Sequence, residues 1–229
     1  MLDGYLPPRL PLPRKRPSQK RSRRTLGWIQ QATGELLLEH GREHLTTTLV
    51  AERAGVSIGT LYQYVSGVDE LMAGLVEAHL EAERRALATV LAEADALPLP
   101  ELVDRLVDAF VGVFAQDPAL SSAIYEECRS AKWSPRTADL GTESVEAISK
   151  VLSDRVDETT VPDPELAALA VVSAVDAFVQ RAAAQRPEAF AAGTVGRAAR
   201  DLAGRYLFGH HGAPHPSSEA QPYVSDDVP

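Results

Sequence analysis

Apolar residues recur every three to four positions through most of the middle of the chain, which is the spacing of one helix face. The segment TLGWIQQATGELLLEHG places one such face at Leu26, Ile29, Thr33, Leu36 and Leu37. It ends at Gly41, a residue type that suits the left-handed position closing many helices. No clear strand pattern is visible between residues 21 and 208. The pattern therefore predicts an all-α fold of about nine helices.

Later segments repeat this helical spacing. A long helix is predicted over Asp69–Ala94, with its inner face at Leu71, Leu75, Ala78, Ala82 and Leu87. The helix after Pro98 has its apolar stripe at Leu102, Leu106, Phe110, Val113 and Phe114. Asp117-Pro118 and Asp163-Pro164 each place a capping aspartate before a first-turn proline, and so predict two further helix starts. Two more helices are predicted at about 142–156 and 194–207.

The segment TTTLVAERAGVSIGTLYQYV, residues 46–65, predicts two short helices joined by a tight turn. Thr46 is a suitable N-cap for the first helix, and Gly55 suits the left-handed residue that ends it. Ser57 is then the natural N-cap of the second helix, whose Leu61 and Val65 are predicted to face inward. This is the pattern of a helix–turn–helix, whose second helix can enter the major groove of DNA.

The outward face of that second helix is rich in hydrogen-bonding side chains. Ser57, Thr60, Tyr62 and Tyr64 carry hydroxyl groups that suit phosphate oxygens, and Gly59 has no side chain to hold DNA away. The amide of Gln63 can form two hydrogen bonds with adenine, a contact worth about 1–3 kcal/mol of base discrimination. The face therefore predicts contact with double-stranded DNA.

Charge is distributed unevenly along the 229 residues. Residues 1–25 contain eight basic residues and one aspartate, a net +7; the whole chain is at −9, so the remainder is at −16. A basic end on an acidic body predicts contact with a polyanion near the N-terminus. An anionic membrane surface is the alternative partner for such a basic segment.

Composition narrows the protein class. Hydrophobic residues make up 45% and charged residues 24%, which suits a soluble domain with a sizeable core. A membrane span is not expected, because no uninterrupted apolar run of about 18 residues was found. The N-terminus lacks the apolar segment of a secretory signal. The single cysteine, Cys128, cannot form an internal disulfide, and this predicts a cytoplasmic protein.

Residues 23–75 resemble the DNA-binding domain of the TetR family of bacterial transcriptional regulators. The match is carried by LVAERAGVSIGTLYQYV followed by DEL, and by ATGELLLEHG before it. The resemblance implies a helix–turn–helix domain over residues 21–68 and a helical ligand-binding and dimerisation domain over 69–208. Disordered tails are expected at 1–20 and 209–229. The resemblance also implies DNA contacts by Arg23, Arg24, Thr46, Thr48, Ser57, Ile58, Gly59, Thr60, Tyr62, Gln63 and Tyr64.

Two positions depart from the family pattern. The family usually has lysine where this chain has Val68, and often a cationic or polar residue where it has Ile58. Residues 42–68 are close to neutral, since Arg42 and Arg53 are balanced by Glu43 and Glu52. We therefore predict that the basic N-terminal arm supplies much of the phosphate attraction.

In the second domain, small and apolar residues at helical spacing predict a homodimer built from two helices of each protomer. The predicted interface residues are Leu166, Ala170, Ala174, Ala177, Phe178, Leu202 and Tyr206, with Val195, Ala199 and Ala203 on the same side of the last helix. A twofold dimer implies a palindromic operator. A small-molecule pocket is predicted at Phe110, Phe114, Tyr125, Cys128, Arg129, Trp133 and Phe178; ordinary core packing is the alternative for these residues.

Other chemistries are not favoured. Catalytic and nucleotide-binding motifs were not found, so no enzyme activity and no cofactor are predicted. His210, His211 and His215 lack the spacing of a metal site, and Cys128 is predicted to be an inert thiol rather than a redox sensor. The leading hypothesis is a repressor released by a ligand. The alternatives are an all-α enzyme or ligand carrier with a vestigial helix–turn–helix, and a protein that binds another regulator through its helices.

Overall fold

The computed structural model describes residues 20–128 and 134–209, with side chains described for all of these except 20–23 and 134–139. Within those ranges the chain forms ten α-helices, three short 3-10 helices and no strand, which confirms the predicted all-α class. The α-helices are α1 Lys20–His40, α2 Thr47–Arg53, α3 Ile58–Leu61, α4 Val68–Leu91, α5 Leu99–Gln116, α6 Pro118–Cys128, α7 Ser134–Asp154, α8 Pro164–Gln185, α9 Glu188–Ala191 and α10 Thr194–Phe208. The 3-10 helices are Arg42–His44, Ala94–Ala96 and Val156–Glu158.

Local hydrogen bonds fix the helix ends where the sequence predicts them. The Oγ1 atom of Thr46 accepts from the N–H of Leu49 at 3.2 Å, and Oγ of Ser57 accepts from the N–H of Thr60 at 3.0 Å. Gly41 and Gly55 adopt left-handed conformations at φ 74° and 66°. Asp117 and Asp163 also accept from N–H groups in the first turns of α6 and α8. These groups satisfy backbone donors that a helix end leaves unpaired.

A first hydrophobic core joins α1, α2, α3 and the beginning of α4. Its fully buried members include Ile29, Val50, Leu61 and Met72. A second core is formed mainly by α5, α8 and α10, around residues such as Leu102, Phe114, Val179 and Ala199. The chain thus places a small helical unit before a larger one, in the order that the sequence predicts.

Helices α4 and α6 belong to both cores. The first half of α4 packs in the first core, while Leu87, Val90 and Leu91 pack against the second. In α6, Ile124 and Cys128 lie in the first core and Tyr125 in the second. Any displacement of either helix would therefore change the packing of both cores.

Two sequence predictions need correction. The inner face of α4 passes through Met72, Val76, Leu80 and Glu83, whereas Ala78 is exposed and Ala82 only half-buried. The reason is that α4 packs on different partners along its length, so a single stripe does not describe its buried face. Helix α7 begins at Ser134 rather than near residue 142, because Pro135 is tolerated in a first helical turn, where its missing N–H has no intrahelical acceptor.

Candidate DNA interface and ligand core

The helix–turn–helix presents a polar, exposed surface at α3 and the turn after it. Ser57, Ile58, Gly59, Tyr62 and Gln63 are exposed, and Thr60 is half-buried. Leu61 points the opposite way and is completely buried, which fixes the rotation of the helix. On the neighbouring α2, Thr46 and Thr48 are also exposed. These outward side chains are the ones that the sequence predicts at a DNA interface.

Hydrogen bonds order part of this surface. The hydroxyl oxygens of Tyr62 and Thr47 lie 3.1 Å apart, linking α3 to α2. The hydroxyls of Ser57 and Thr60 lie 2.8 Å apart, beside the N-cap bond of Ser57. Tyr62 is nonetheless 46% exposed. Its ring is therefore held in place while one face stays accessible, an arrangement that lowers the entropy cost of a contact with DNA.

Gly59 is a glycine that intramolecular packing does not require. A Cβ atom built on it would meet only Oγ of Ser57, at an ordinary contact distance of 3.9 Å. Glycine inside a helix is unfavourable by roughly 1 kcal/mol relative to alanine. Within the described residues, no contact therefore requires a glycine at this position.

Tyr64 does not face outward as the sequence predicts. Its side chain is only 8% exposed and packs in the first core. Regular α-helix ends at Leu61, and the N–H of Tyr64 then bonds to the carbonyl of Leu61 at 2.9 Å, which is a 3-10 turn. In such a turn, residues three apart lie on the same side, so Tyr64 follows the buried Leu61 into the core. The outward surface therefore consists of Tyr62 and Gln63, without the ring of Tyr64.

The two arginines of the helix–turn–helix are held within the protein. Arg53 pairs with Glu39 at 2.6 Å and with Glu35 at 3.3 Å, fastening α2 to α1. Arg42 pairs with Asp69 at 2.8 Å and also with Glu127 of α6. Both cations are thus neutralised by carboxylates rather than free for phosphate. The surface around α3 has hydrogen-bonding groups but little unpaired positive charge.

Basic residues at the start of α1 are another source of positive charge for phosphate contacts. The guanidinium of Arg24 lies 5.2 Å from the ring centroid of Trp28, a cation–π contact on the exposed side of α1. The side chain of Arg23, also predicted to bind DNA, lies outside the described residues. Residues 1–19, which contain the rest of the basic arm, lie outside them as well.

Several residues of the predicted ligand pocket do lie together. The rings of Phe110 and Phe114 are 5.1 Å apart, and those of Phe114 and Tyr125 are 5.3 Å apart. Cys128 is buried one helical turn after Ile124, and Phe178 packs against the second core from α8. Arg129 and Trp133 lie outside the described residues. The structure thus brings three of the predicted aromatic side chains into one cluster at the centre of the ligand domain.

That cluster contains polar residues that sequence reasoning missed. Glu83 is only 2% exposed, and both of its carboxylate oxygens accept from the hydroxyl of Tyr125, at 2.8 and 3.0 Å. His79, one turn earlier on α4, has its ring centroid 5.5 Å from Phe114 and 5.6 Å from Tyr125. Burial and the carboxylates of Glu83 and Asp176 raise the pKa of Tyr125, so its hydroxyl stays protonated and donates.

A sequence signal for this cluster exists. Met72, Val76, His79 and Glu83 follow one another at spacings of four, three and four residues, which places all four on one helix face. Charged residues seldom lie fully inside a protein, and that general rule argues for placing Glu83 on the surface. Asp176 of α8 is less evident, because it is a single charged residue between Val175 and Ala177.

Cys128 is not poised as a redox sensor. Its side chain is buried, and burial together with the carboxylates of Glu83 and Glu127 raises the pKa of the thiol to about 12. A thiolate-forming cysteine needs the opposite surroundings, with nearby positive charge and access to solvent. Cys128 is a buried thiol of the interior.

The predicted dimer residues divide into two groups. Leu166 of α8 and Tyr206 of α10 are 59% and 44% exposed. Ala174 and Ala177 of α8 are exposed as well. Ala170, Phe178 and Leu202 are half-buried. Val195, Ala199 and Ala203 instead lie fully inside the second core, because α10 packs its small residues against α5 and α8 of the same chain. These three cannot form an interface between protomers.

Helix α8 is long and apolar enough to cross a membrane by length and composition, with a mean hydropathy of 1.5 over its most apolar window, one third of which is buried. Seven of its residues face the second core, including Ala168, Val175 and Val179. Leu166 and Leu169 lie away from that core and are 59% and 51% exposed. A core helix that also covers a partner subunit has this composition.

One open groove lies apart from the aromatic cluster. The groove, of about 280 Å³, runs between α1 and α2, lined by Trp28, Glu35, Arg53 and Gly55 among others. It is on the DNA-binding unit rather than at the predicted ligand pocket. In the described part of the chain, no three His, Cys, Asp or Glu side chains are grouped to hold a metal ion. His210, His211 and His215 lie outside that part.

Comparison with known families matches both units of the chain. Residues 29–75 match the model described as bacterial regulatory proteins, tetR family. Residues 98–207 match the model described as tetracyclin repressor-like, C-terminal domain. No curated protein is similar enough in sequence to count as a match. The two family matches fall on the helix–turn–helix unit and on the larger helical unit.

Solved structures show the same fold at low sequence identity. A TetR transcription regulator from Haloarcula marismortui superposes with a TM-score of 0.64 and 24% identity, over 80% of this chain and 98% of its own. The fatty acid degradation regulator FadR from Bacillus halodurans has a TM-score of 0.64 and 16% identity, over 80% of this chain and 94% of its own. The SmeT–triclosan complex has a TM-score of 0.60 and 18% identity, over 88% of this chain and 99% of its own. The chain belongs to the TetR family of bacterial transcriptional regulators.

Proposed function

We propose that the protein is a dimeric, sequence-specific DNA-binding repressor that binds a palindromic operator and is released by a small-molecule ligand. The observation that carries the proposal is the surface at α3. There, exposed Gln63 and Tyr62 lie beside Gly59, whose missing side chain has no intramolecular explanation. A transcription regulator acts on chromosomal DNA, so we expect it in the bacterial cytoplasm.

Each exposed group on this surface has a role in the proposed complex. The Gln63 amide reads a base edge in the major groove. Tyr62, Thr46, Thr48 and the hydroxyls of Ser57 and Thr60 bind phosphate oxygens and set the register of the helix. Ile58, 41% exposed, supplies an apolar contact of the kind that a thymine methyl group accepts. Arg24 and the basic arm contribute phosphate contacts.

The exposed apolar face of α8 supports a dimer. Leu166, Leu169 and Tyr206 are large apolar or aromatic side chains with high exposure, and they lie on the two helices that the family resemblance assigns to the subunit interface. A twofold axis through this surface gives two copies of α3 related by the same axis. Such an arrangement suits two half-sites on neighbouring major-groove turns.

Release by a ligand is supported by the position of α6. Tyr125 belongs to the aromatic cluster, while Ile124 and Cys128 of the same helix pack with the DNA-binding unit. Leu120 lies against Gly34 of α1, so closely that a Cβ there would come within 3.1 Å of its Cδ2 atom. Glu127 pairs with Arg42. A ligand that moves α6 therefore shifts contacts with the reading unit, and differential affinity for the two states drives release.

Selection from random duplexes tests the DNA-binding proposal. The full-length protein should enrich a palindrome, and Gln63→Ala should lose discrimination at one base pair of each half-site, by about 1–3 kcal/mol. Gln116→Ala, at an exposed position of α5, is the matched control and should select the same palindrome as the original protein. Failure of the intact dimer to enrich any sequence would contradict the proposal.

A ligand carrier with a vestigial helix–turn–helix is the second candidate. It is favoured by one observation: Arg42 and Arg53 are both engaged with carboxylates, and Ile58 and Val68 stand where relatives have cations. Such a carrier would bind a small molecule but would retain no duplex in the same selection. The two candidates therefore differ in a single measurable outcome.

A further inference from the structure

The polar group at the centre of the ligand domain carries unbalanced negative charge. We call His79, Glu83, Tyr125 and Asp176 the Glu83 cluster. Glu83 is buried on α4, and burial together with the charge of Glu83 raises the pKa of Asp176 on α8. Among the described residues, Glu83 has only His79 as a basic partner, and Asp176 accepts from the neutral amide of Gln180 at 2.8 Å.

The imidazole of His79 does not complete this group. Its Nε2 atom lies 3.0 Å from Oε1 of Glu83, yet it is buried without a hydrogen bond. The distance is short enough for a hydrogen bond, so the relative orientation of the two groups is what prevents one. A buried polar atom left unpaired is costly in free energy. A donor lying beside the pair, within hydrogen-bonding distance of both, would satisfy the carboxylate and, in the tautomer whose Nε2 is unprotonated, the imidazole as well.

Aromatic rings surround the same point. Phe114 and Tyr125 both contact the His79 ring edge-to-face, and Phe110 extends the aromatic wall along α5. The faces of such rings attract cations, most strongly where water is excluded. Two carboxylates and several aromatic rings together form surroundings in which a positive charge is favourable and a further negative charge is unfavourable.

We propose that the Glu83 cluster recognises a ligand with a cationic nitrogen on an apolar or aromatic body. The inference rests on the proposed ligand-responsive function and specifies its ligand class. The ammonium donates to Glu83 and to Nε2 of His79, and the body packs against Phe110 and Phe114. A ligand with a carboxylate head is disfavoured, because its charge would face Glu83 and Asp176 without a compensating cation among the described residues.

Three small molecules of similar shape test the charge preference. Isothermal calorimetry on the full-length protein, without DNA, should compare 4-phenylbutylamine, 4-phenylbutanol and 4-phenylbutanoate. We expect the amine to bind at least about tenfold more tightly than the alcohol, and the carboxylate to bind most weakly. Equal or tighter binding of the alcohol or the carboxylate would overturn the proposal. Failure of the amine to bind up to its solubility limit would overturn it too.

Matched variants locate the site. Glu83→Gln keeps the shape of the side chain and removes its charge, and should abolish the preference for the amine. Glu146→Gln makes the same change at an exposed position of α7 and should retain it. If Glu83→Gln does not fold, as judged by circular dichroism, Asp176→Asn provides the test through a reduced preference. Amine binding that is equally tight in the original protein and the folded cluster variant would place the cation elsewhere and overturn the proposal.

The calorimetry contains no DNA, which separates the two proposals. Failure to bind any duplex would defeat the regulator function while leaving the amine preference intact. Loss of the amine preference in a protein that still selects a palindrome would defeat only the proposed ligand class.

Discussion

Two glycines of the helix–turn–helix serve different purposes although they lie four residues apart. Gly55 has φ 66°, a conformation that costs other residues roughly 1–2 kcal/mol, and so the turn itself requires it. Gly59 lies within α3, where a Cβ atom would meet only Oγ of Ser57, at 3.9 Å. Folding explains the first glycine, and we propose that the second leaves room for the approach of a DNA backbone.

Substituting alanine for each glycine should separate the two roles. Gly55→Ala should lower the free energy of unfolding by about 1 kcal/mol or more, because it forces a side chain into the left-handed region. Gly59→Ala should leave that free energy unchanged or raise it by up to about 1 kcal/mol, because alanine favours a helix. Urea denaturation measures both changes.

The same pair of variants bears on DNA. Gly59→Ala should weaken binding to the selected operator in a gel-shift assay, although the folded protein is at least as stable. If Gly59→Ala binds operator as tightly as the original protein, the DNA backbone does not come close to residue 59 and the docking of α3 must be different.

Cys128 should react slowly with alkylating reagents in the folded protein. With a pKa near 12, its thiolate fraction at pH 8 is on the order of 10³-fold below that of a free cysteine. Since the pKa lies above the working range, each unit of rising pH should increase the rate about tenfold. Iodoacetamide labelling followed by mass spectrometry measures this, with the urea-unfolded chain as control. Equal rates in the folded and unfolded protein would show that the thiol is accessible and ionised.

At the scale of elements, the predictions that succeed rest on local physics. The starts of α2, α3, α6 and α8 were predictable because the cap side chain and the backbone N–H that donates to it lie within three residues of each other. Gly41 and Gly55 mark helix ends for the same reason. The apolar stripe of α5 was predictable because that helix is amphipathic along its whole length.

The predictions that fail depend on distant packing. Tyr64 turns inward because it follows the buried Leu61 by three residues in a 3-10 turn, and the first core accommodates its ring. The buried face of α4 shifts because its two halves meet different helices. Glu83 is accepted inside the protein only because Tyr125, 42 positions later, donates to it. Sequence periodicity does not contain that long-range information.

The dimer surface on α8 can be tested by one charge. Leu166→Glu should weaken association, because it places a carboxylate in the apolar face. The folded protomer should keep its stability, since residue 166 lies in the first turn of α8, where negative charge interacts favourably with the helix dipole. Analytical ultracentrifugation measures the monomer fraction. Leu38→Glu, at another exposed leucine on α1, is the control and should remain dimeric. A Leu166→Glu protein that stays dimeric at the same concentrations would rule out this face as the interface.

Across the whole molecule, the central aromatic cluster and the reading unit are joined by continuous contacts. Tyr125 and Glu83 lie at one end, and two residues further along α6 the Glu127 carboxylate pairs with Arg42 of the DNA-binding unit. The same Arg42 pairs with Asp69 at the start of α4. Helices α4 and α6 thus both contact the DNA-binding unit at Arg42, and we propose that a ligand that displaces either helix acts on α3 through this contact.

Charge is also arranged at the scale of the whole chain. The protein has a net charge of −9 overall, while its first 25 residues are at +7. An acidic body repels DNA, and the arginines nearest to α3 are already paired. We therefore predict that long-range attraction to DNA comes from the basic N-terminal segment, and that removing its charge affects binding to all sequences alike rather than recognition of one base pair.

Neutralising the arm tests this last prediction. Replacing Arg9, Arg14, Lys15 and Arg16 by glutamine keeps the chain length and leaves α1 intact. Operator affinity measured at several salt concentrations should fall, and the slope of log K against log salt should lose about 0.9 for every phosphate contact removed. Replacing Arg85, Arg105, Lys150 and Arg186 by glutamine changes the net charge equally on the ligand domain and should leave the slope nearly unchanged. Equal slopes in both variants would mean that net charge alone matters. A slope unaffected by the arm substitutions would place the phosphate contacts on the helical body, at residues such as Arg24.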